Sequence, residues 1–286
     1  MIRAVALVLL MLGGCSGATP KNDAQELVIG TEGAYPPWNF TRANGSLGGF
    51  EPEYLAELCA RLHRHCRMVA MDWDGMIGAL QAGKIDLIAD AVQITPERAT
   101  VLAFGRPYAV TTGVIATLRG GTLTGLPDRG ATMDIDQHGA TLDAMTARLR
   151  KGLAGKVIGV ELSGAFDNFL NQTFANSAGP GLTIRYYRTM GERDLDLLNG
   201  RIDATLEDES YIRPLLATPD GATLVMAGPR MIGGSMGRGE ALAFRLGDKA
   251  LRAEFDRVIG ETLADGTVRR LGLKWFRMDA SPAVTR

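Results

Sequence analysis

The sequence predicts an α/β protein built from two similar lobes. Short apolar runs rich in β-branched residues alternate with helical patterns, an order typical of lobes with a largely parallel sheet. The pattern then recurs: residues 28–32 (VIGTE) are similar to residues 157–161 (VIGVE), and residues 83–86 (GKID) to residues 200–203 (GRID). Two matches in the same order indicate related lobes, and 286 residues suffice for two lobes of medium size.

The elements of the first lobe follow one another from residue 27. A strand is predicted at residues 27–31 and a loop at 32–49, after which Pro52 lies in the first turn of a helix with apolar residues at helical spacing. Strands are predicted near 67–71 and 85–89, with a helix between them that Asp74 caps. Thr95 and Pro96 predict the start of another helix, with Arg98 in its first turn.

Two crossings of the chain, at residues 108–118 and 223–228, are expected to join the lobes. Residues 26–110 and 228–279 would then form the first lobe, and residues 111–227 the second. Residues 280–286 are expected to be a C-terminal tail. An amphipathic helical pattern within 251–259 belongs to the part of the chain that returns to the first lobe.

The N-terminus has the pattern of an export signal. Arg3 precedes an apolar run at residues 4–12 that is too short to span a bilayer. The run ends in LGGC, similar to a bacterial lipobox in which Cys15 would receive a lipid, whereas ordinary cleavage after Ala18 is the alternative. We therefore expect a signal peptide at 1–18, a polar tether at 19–25 and a periplasmic location, with a lipid anchor in the first case.

The two remaining cysteines agree with export. Cys59 and Cys66 are too far apart in sequence for a CxxC redox or zinc motif, and a local disulfide suits an oxidising compartment. Two free buried thiols are the alternative. The three histidines show no spacing that completes a metal site, so no metal and no cofactor is expected.

Charge and motifs exclude several classes of function. The chain has 31 Lys and Arg against 32 Asp and Glu, without a basic stripe, so no nucleic-acid partner is expected. There is no GxSxG, HExxH or P-loop motif and no Cys–His pair, so a catalytic centre is not indicated.

Acidic residues follow the predicted strands of both lobes. Ligands of open α/β sheets bind beyond the carboxyl ends of the strands, where Glu32, Asp90, Glu161 and Asp208 lie. If the lobes face each other with these ends, they enclose a cleft of the kind that binds small molecules.

Aromatic residues and one arginine complete the predicted cleft. Tyr35, Trp38 and Trp73 lie in predicted loops and could stack on a cation, with packing inside the lobe as the alternative for each ring. The guanidinium of Arg98 could hold a carboxylate, with an ordinary surface arginine as the alternative.

Five segments of the sequence, taken together and in this order, form a specific pattern: residues 29–40 (IGTEGAYPPWNF), 48–59 (GGFEPEYLAELC), 72–98 (DWDGMIGALQAGKIDLIADAVQITPER), 193–209 (RDLDLLNGRIDATLEDE) and 265–276 (DGTVRRLGLKWF). With them the sequence resembles the family 3 periplasmic solute-binding proteins of amino-acid ABC transporters, and among these the opine, arginine and lysine/arginine/ornithine branch. The resemblance covers roughly residues 26–279.

The resemblance implies a two-lobed periplasmic-binding-protein fold and a role for individual residues. Arg98 would clamp the ligand α-carboxylate and Asp208 would receive the α-ammonium group. Tyr35 and Trp73 would sandwich the ligand side chain, and Glu32 would read a distal cationic group. The spacing of the cysteine pair also matches a disulfide of these proteins.

The same resemblance shows departures at the amino-acid end of the pocket. Asp90, Ala91 and Gln93 match a stretch that lines this end, but Asp90 and Gln93 replace small or hydroxyl residues. Ala165 lacks a hydroxyl that helps to hold the carboxylate, and Glu161 adds an acid. The resemblance therefore implies a ligand that is more cationic than arginine or differently shaped.

The expected function is that of an extracytoplasmic binding component of an ABC importer. It would bind a cationic amino acid or an opine-like derivative by hinge closure and deliver it, as a monomer, to a membrane permease. A periplasmic cyclohexadienyl dehydratase on the same fold is the enzymatic alternative, and a receptor sensor lobe is the other.

Overall fold

The computed structural model describes residues 26–174 and 181–282. The predicted signal peptide, the tether, Cys15 and the end of the tail at 283–286 lie outside the described residues. Within the described ranges, no helix is both long and apolar enough to cross a membrane.

The strands form three sheets. They are β1 (Leu27–Thr31), β2 (Ala34–Tyr35), β3 (Asn39–Thr41), β4 (Leu47–Gly48), β5 (Cys66–Ala70), β6 (Leu87–Ile88), β7 (Ala103–Phe104), β8 (Gly113–Leu118), β9 (Thr132–Asp134), β10 (Val157–Glu161), β11 (Thr183–Tyr187), β12 (Ala204–Asp208), β13 (Leu224–Ile232) and β14 (Ala243–Phe244).

The helices cover the faces of the two larger sheets. They are α1 (Phe50–Arg61), α2 (Trp73–Gln81), α3 (Ala140–Leu153), α4 (Ala165–Phe174), α5 (Met190–Leu198), α6 (Glu209–Leu215), α7 (Lys249–Ala264) and α8 (Thr267–Trp275). Helix α1 begins directly after Gly49, whose φ of 122° and whose approach to the Trp38 carbonyl oxygen leave no room for a side chain.

The two larger sheets form the centres of the two lobes. The first has the order β5-β1-β6-β14-β7 and the second the order β11-β10-β12-β8-β13-β9, and β2-β3-β4 is a small third sheet. Strand β1 pairs in parallel with β5 and β6, as β10 does with β11 and β12. Strand β14 pairs with β6, so the C-terminal part of the chain joins the first sheet.

The similarity between the lobes extends to individual contacts. The backbone N–H of Val28 donates to Asp86 Oδ2 at 3.0 Å, and that of Val157 donates to Asp203 Oδ2 at 2.8 Å. These aspartates end the two similar GKID and GRID motifs. The same side-chain-to-strand contact therefore occurs once in each lobe.

The segments expected to cross between the lobes are largely strands of the second sheet. Strand β8 occupies 113–118, and β13 continues to Ile232, past the predicted return at 228. The two strands pair in antiparallel fashion, which makes this sheet mixed rather than largely parallel. The physical reason is that the chain enters and leaves the lobe side by side, so each strand satisfies the backbone groups of the other.

Trp38 belongs to the core of the first lobe. Its side chain is fully buried, its ring lies 4.3 Å from that of Phe276, and it contacts Phe50 and Tyr108 edge-on. Its indole N–H donates to Ser210 Oγ at 2.8 Å, so it also connects this core to the second lobe. The structure thus supports packing, not cation binding, for this ring.

The predicted disulfide is confirmed. Cys59 on α1 and Cys66 at the start of β5 are bonded, with their Cα atoms 6.3 Å apart. The bond closes the short connection between the first helix and the edge strand of the first sheet.

Candidate ligand-binding site

A cavity with about 430 Å³ of empty space lies between the two lobes. Every predicted ligand-contacting residue except Trp38 and Asp208 lines it. These residues are Glu32, Tyr35, Trp73, Asp90, Ala91, Gln93, Arg98, Glu161 and Ala165, and the structure adds Gly164, Phe166, Met190 and Glu207.

The wall from the first lobe is built at the carboxyl ends of two neighbouring strands. Glu32 follows β1 and Asp90 follows β6, which places them side by side. Asp90 Oδ1 accepts hydrogen bonds from the Glu32 backbone N–H at 2.8 Å and from Asn39 Nδ2 at 2.9 Å. Burial, followed by the nearby charge of Glu51, raises the pKa of Asp90 well above its usual value. Through the hydrogen bond from the Glu32 backbone N–H, Asp90 fixes the backbone that presents Glu32.

Arg98 supplies the positive charge of the cavity. Its guanidinium lies 4.8 Å from the centre of the Trp73 ring, and Nη1 donates to Gln93 Oε1 at 3.0 Å. Burial lowers the pKa of Arg98 to about 10, so it stays charged at neutral pH. Among the described residues no carboxylate pairs with it, which leaves guanidinium donors for an anionic group of a ligand.

The α-helix predicted to start at Thr95 and Pro96 is wrong: the segment forms only a short 3₁₀ turn at Arg98–Thr100. Thr95, which precedes this turn, accepts the Arg98 backbone N–H through Oγ1 at 3.2 Å. The predicted capping contact is present, but one turn has almost no macrodipole. The environment of Arg98 is therefore set by burial, Trp73 and Gln93.

The wall from the second lobe carries a carboxylate with an unsatisfied atom. Glu161 ends β10, and its Oε1 is buried without a hydrogen-bond partner. Burial and the charge of Glu32 raise the pKa of Glu161 to about 9. Burial and the charge of Glu207 raise the pKa of Glu32 to about 7. Both carboxyl groups thus favour protonation until a cation lies near them.

Glu207, which lines the cavity, forms a buried ion pair with Arg193. Arg193 is fully buried and contacts Glu207 Oε2 through Nη1 and Asp194 Oδ1 through Nη2 at 2.9 Å. Glu207 Oε1 accepts the Tyr35 hydroxyl at 3.0 Å, and the Tyr35 ring stacks on Tyr211 at 5.7 Å. The pair therefore fixes an aromatic ring of the cavity from the opposite lobe.

Asp208 does not line the main cavity. Its Oδ1 accepts the backbone N–H of Ser210 at 2.9 Å, which caps α6, and its Oδ2 accepts the Thr111 hydroxyl. Successive residues of a strand face opposite sides, so Glu207 and Asp208 cannot both point to one cavity. Alternation along β12 is the signal that would have favoured Glu207.

Asp208 lies instead in a smaller cavity near the crossings, with about 230 Å³ of empty space. Gln93 and Phe166 line both cavities. Here the Thr111 hydroxyl contacts both Asp208 and Glu240, although it has one proton to donate. One of the two carboxyl groups must therefore hold a proton, in agreement with the raised pKa of Asp208, about 7, and of Glu240.

A wider cavity with about 970 Å³ of empty space continues outward from the first. Glu32, Trp73 and Glu161 line both, and Asp72 and Arg188 belong to the outer one. The site is therefore elongated. Within the described ranges, no group of histidine, cysteine and acidic side chains is arranged to hold a metal ion.

Comparison with known proteins agrees with this architecture. The family model for bacterial extracellular solute-binding proteins, family 3, matches residues 27–278. The chain belongs to this family. The resemblance inferred from the sequence and the two-lobed fold are thereby confirmed.

Relatives of this solute-binding protein bind amino acids or their derivatives. It is 32% identical over 292 residues to the octopine-binding periplasmic protein of Rhizobium meliloti, covering 96% of each chain. It is 28% identical over 281 residues to the L-arginine-binding protein of Pseudomonas aeruginosa, covering 98% of this chain and 96% of the other. An ancestral arginine-binding protein bound to arginine superposes with a TM-score of 0.71 at 25% identity, over 89% of this chain and all of the other.

Proposed function

We propose that this solute-binding protein binds a cationic amino acid or an opine-like derivative between its lobes and delivers it to the permease of an ABC importer. The observation that carries the proposal is the cavity between the lobes. In it, one buried arginine without a carboxylate partner lies beside Trp73, and Glu32 and Glu161 lie without cationic partners among the described residues. A zwitterion with an additional positive charge complements this arrangement.

Each anchor has a distinct role in the proposal. Arg98 holds the α-carboxylate, Tyr35 and Trp73 contact the ligand side chain, and Glu32 holds its distal cation. Micromolar to nanomolar affinity requires about −8 to −12 kcal/mol. Two charge-assisted contacts at about 1.5–3 kcal/mol each, together with a buried side chain, can supply much of this.

The test of the carboxylate anchor is calorimetric titration of the mature protein with arginine, lysine and octopine. Arg98→Ala is expected to weaken every ligand with an α-carboxylate by at least tenfold, because its buried counter-charge is lost. Arg201→Ala is the matched control, since Arg201 is 68% exposed and lies in the ion pair with Asp196. Unchanged affinity in Arg98→Ala contradicts the clamp.

The test of the distal carboxylate compares arginine with citrulline, its neutral isostere. Glu32→Gln is expected to weaken arginine much more than citrulline, because only arginine loses a charged contact. Equal weakening of both ligands contradicts this role for Glu32.

We further propose that the chain is a binding protein and not a dehydratase. The cavity has more carboxylates than cations among its lining residues, so a dicarboxylate such as prephenate would be repelled. Incubation with prephenate and measurement of product absorbance tests this, and steady product formation contradicts it.

The proposed location is the periplasm, as a monomer, with a lipid on Cys15 as the anchor. The residues that precede Cys15 support the anchor, and the name of the octopine-binding relative supports the compartment. Metabolic labelling with palmitate, in the wild type and in Cys15→Ala, distinguishes an anchored from a free protein.

We also propose that the first lobe resumes after Ile232, where β13 ends.

A further inference from the structure

We infer that Glu161 is a selectivity residue that acts across the cleft: with Glu32 it holds one cationic group of the ligand from both lobes, so that the lobes close fully only on a ligand with positive charge at that place. The inference rests on the proposed function and deepens it. It adds a residue of the second lobe to the recognition of charge, and it links that recognition to closure.

The positions of the two carboxylates carry the argument. Glu32 follows β1, the strand between β5 and β6 of the first sheet, and Glu161 ends β10, the strand between β11 and β12 of the second. They occupy the same place in the similar segments VIGTE and VIGVE. Both line the inner and the outer cavity, together with Trp73. The two lobes therefore present equivalent carboxylates to one volume.

The surroundings of these carboxylates differ from those of Glu207. Glu207 has the buried guanidinium of Arg193 against it. Among the described residues, neither Glu32 nor Glu161 has an arginine or lysine within ion-pairing distance, and Glu161 Oε1 has no hydrogen-bond donor. The charge of Glu32 is close enough to raise the pKa of Glu161. Arg98 lines the inner cavity and Arg188 the outer one, but neither forms an ion pair with Glu32 or Glu161 among the described residues.

Closure of the lobes without a cation either brings two like charges together out of water or requires a carboxyl group to take up a proton, and each of these opposes closure at neutral pH. A cation between them reverses the sign of the interaction. A ligand shifts the equilibrium towards the closed form only by what it binds better there. A neutral isostere can still dock on Arg98 and the rings of the first lobe, but it does not remove this cost of bringing the two carboxyl groups together.

The experiment separates binding from closure. Arginine and citrulline are titrated calorimetrically into the mature protein, and closure is followed by small-angle X-ray scattering. The variants are Glu161→Gln, which keeps the side-chain shape, Glu32→Gln, and Asp143→Asn as control. Asp143 is an exposed carboxylate on α3 of the second lobe that lines neither the inner nor the outer cavity. Thermal denaturation of each variant verifies that it is folded.

In the wild type, arginine is expected to bind at least a hundredfold more tightly than citrulline and to reduce the radius of gyration more. Glu161→Gln should reduce this preference by at least tenfold and should allow citrulline to close the lobes. Asp143→Asn should leave the preference unchanged within about twofold.

Two different failures are distinguishable. If Glu161→Gln keeps the full preference while Glu32→Gln loses it, the inference is overturned and the proposed function stands. If neither ligand binds the wild type or Glu161→Gln at millimolar concentration, and lysine and octopine also fail, both are overturned.

Discussion

Replacing Arg193 by methionine removes the positive charge from a fully buried ion pair. In the wild type the guanidinium contacts Glu207 and Asp194 and lies 5.1 Å from the centre of the Tyr211 ring. Asp194 keeps a hydrogen bond from the Tyr211 hydroxyl at 2.5 Å in the variant, but Glu207 loses its counter-charge. Removal of one partner of a buried pair costs about 3–5 kcal/mol, mainly because the other charge stays buried and unpaired.

The control is a solvent-exposed ion pair of the same lobe. Arg201 pairs with Asp196 at 3.0 Å with 68% of its side chain exposed, and such pairs contribute about 0–1 kcal/mol. Arg201→Met should therefore change the free energy of unfolding by no more than about 1 kcal/mol. The expected difference between the two methionine variants is at least about 2 kcal/mol.

Urea unfolding of the ligand-free mature protein, followed by circular dichroism, measures both values. A second variant, Arg193→Met with Glu207→Gln, removes the orphaned charge as well and should recover part of the loss. If Arg193→Met lowers the free energy of unfolding no more than Arg201→Met does, the buried pair does not stabilise the second lobe and the reasoning fails. If the double variant is less stable than Arg193→Met, an unpaired charge is not the cause.

The cleft carboxylates, the disulfide and the contact between the lobes give further expectations. Because the pKa of Glu161 is raised from 4.5 to about 9, the native chain holds more protons than the unfolded chain in that window, so melting temperature should fall from pH 6 to pH 8.5. Glu161→Gln should flatten this slope, and a rise with pH contradicts it. Replacing both Cys59 and Cys66 by serine should lower the free energy of unfolding, measured in urea, by about 2–3 kcal/mol. An unchanged value would show that the disulfide does not restrict the unfolded chain. Trp38→Phe should cost about 1–3 kcal/mol by removing the bond to Ser210, and a double-mutant cycle with Ser210→Ala that finds no coupling contradicts this.

The sequence predicts which residues line the cavity better than it predicts the contacts and charges of those residues. The ends of β1, β6 and β10 follow from hydrophobic pattern and topology, so Glu32, Asp90 and Glu161 could be placed at one cleft. The predicted role of Asp208 came from resemblance and ignored the alternation along β12. The structure gives the cavity side of that strand to Glu207.

Other parts of the site have no local signal in the sequence. The pairing of Arg193 with Glu207 joins a helix to a strand, and only the packed lobe brings them together. The turn at Arg98 is followed at Ala103 by β7, which pairs with β14, a strand far away in the sequence. The antiparallel pairing of β8 with β13 follows from the path of the chain between the lobes, which pattern analysis of either segment does not contain.

Gly30 and Gly159 occupy equivalent, closely packed positions in the two lobes, so one substitution can be tested in both. A methyl group on Gly30 would lie 2.5 Å from Ile85 Cδ1, and one on Gly159 would lie 2.6 Å from Ile202 Cδ1. The same alanine substitution can thus be made twice in one polypeptide, against the same kind of neighbour, in two different hydrophobic interiors. Any difference between the two losses of unfolding free energy measures how readily each interior rearranges to admit the same methyl group.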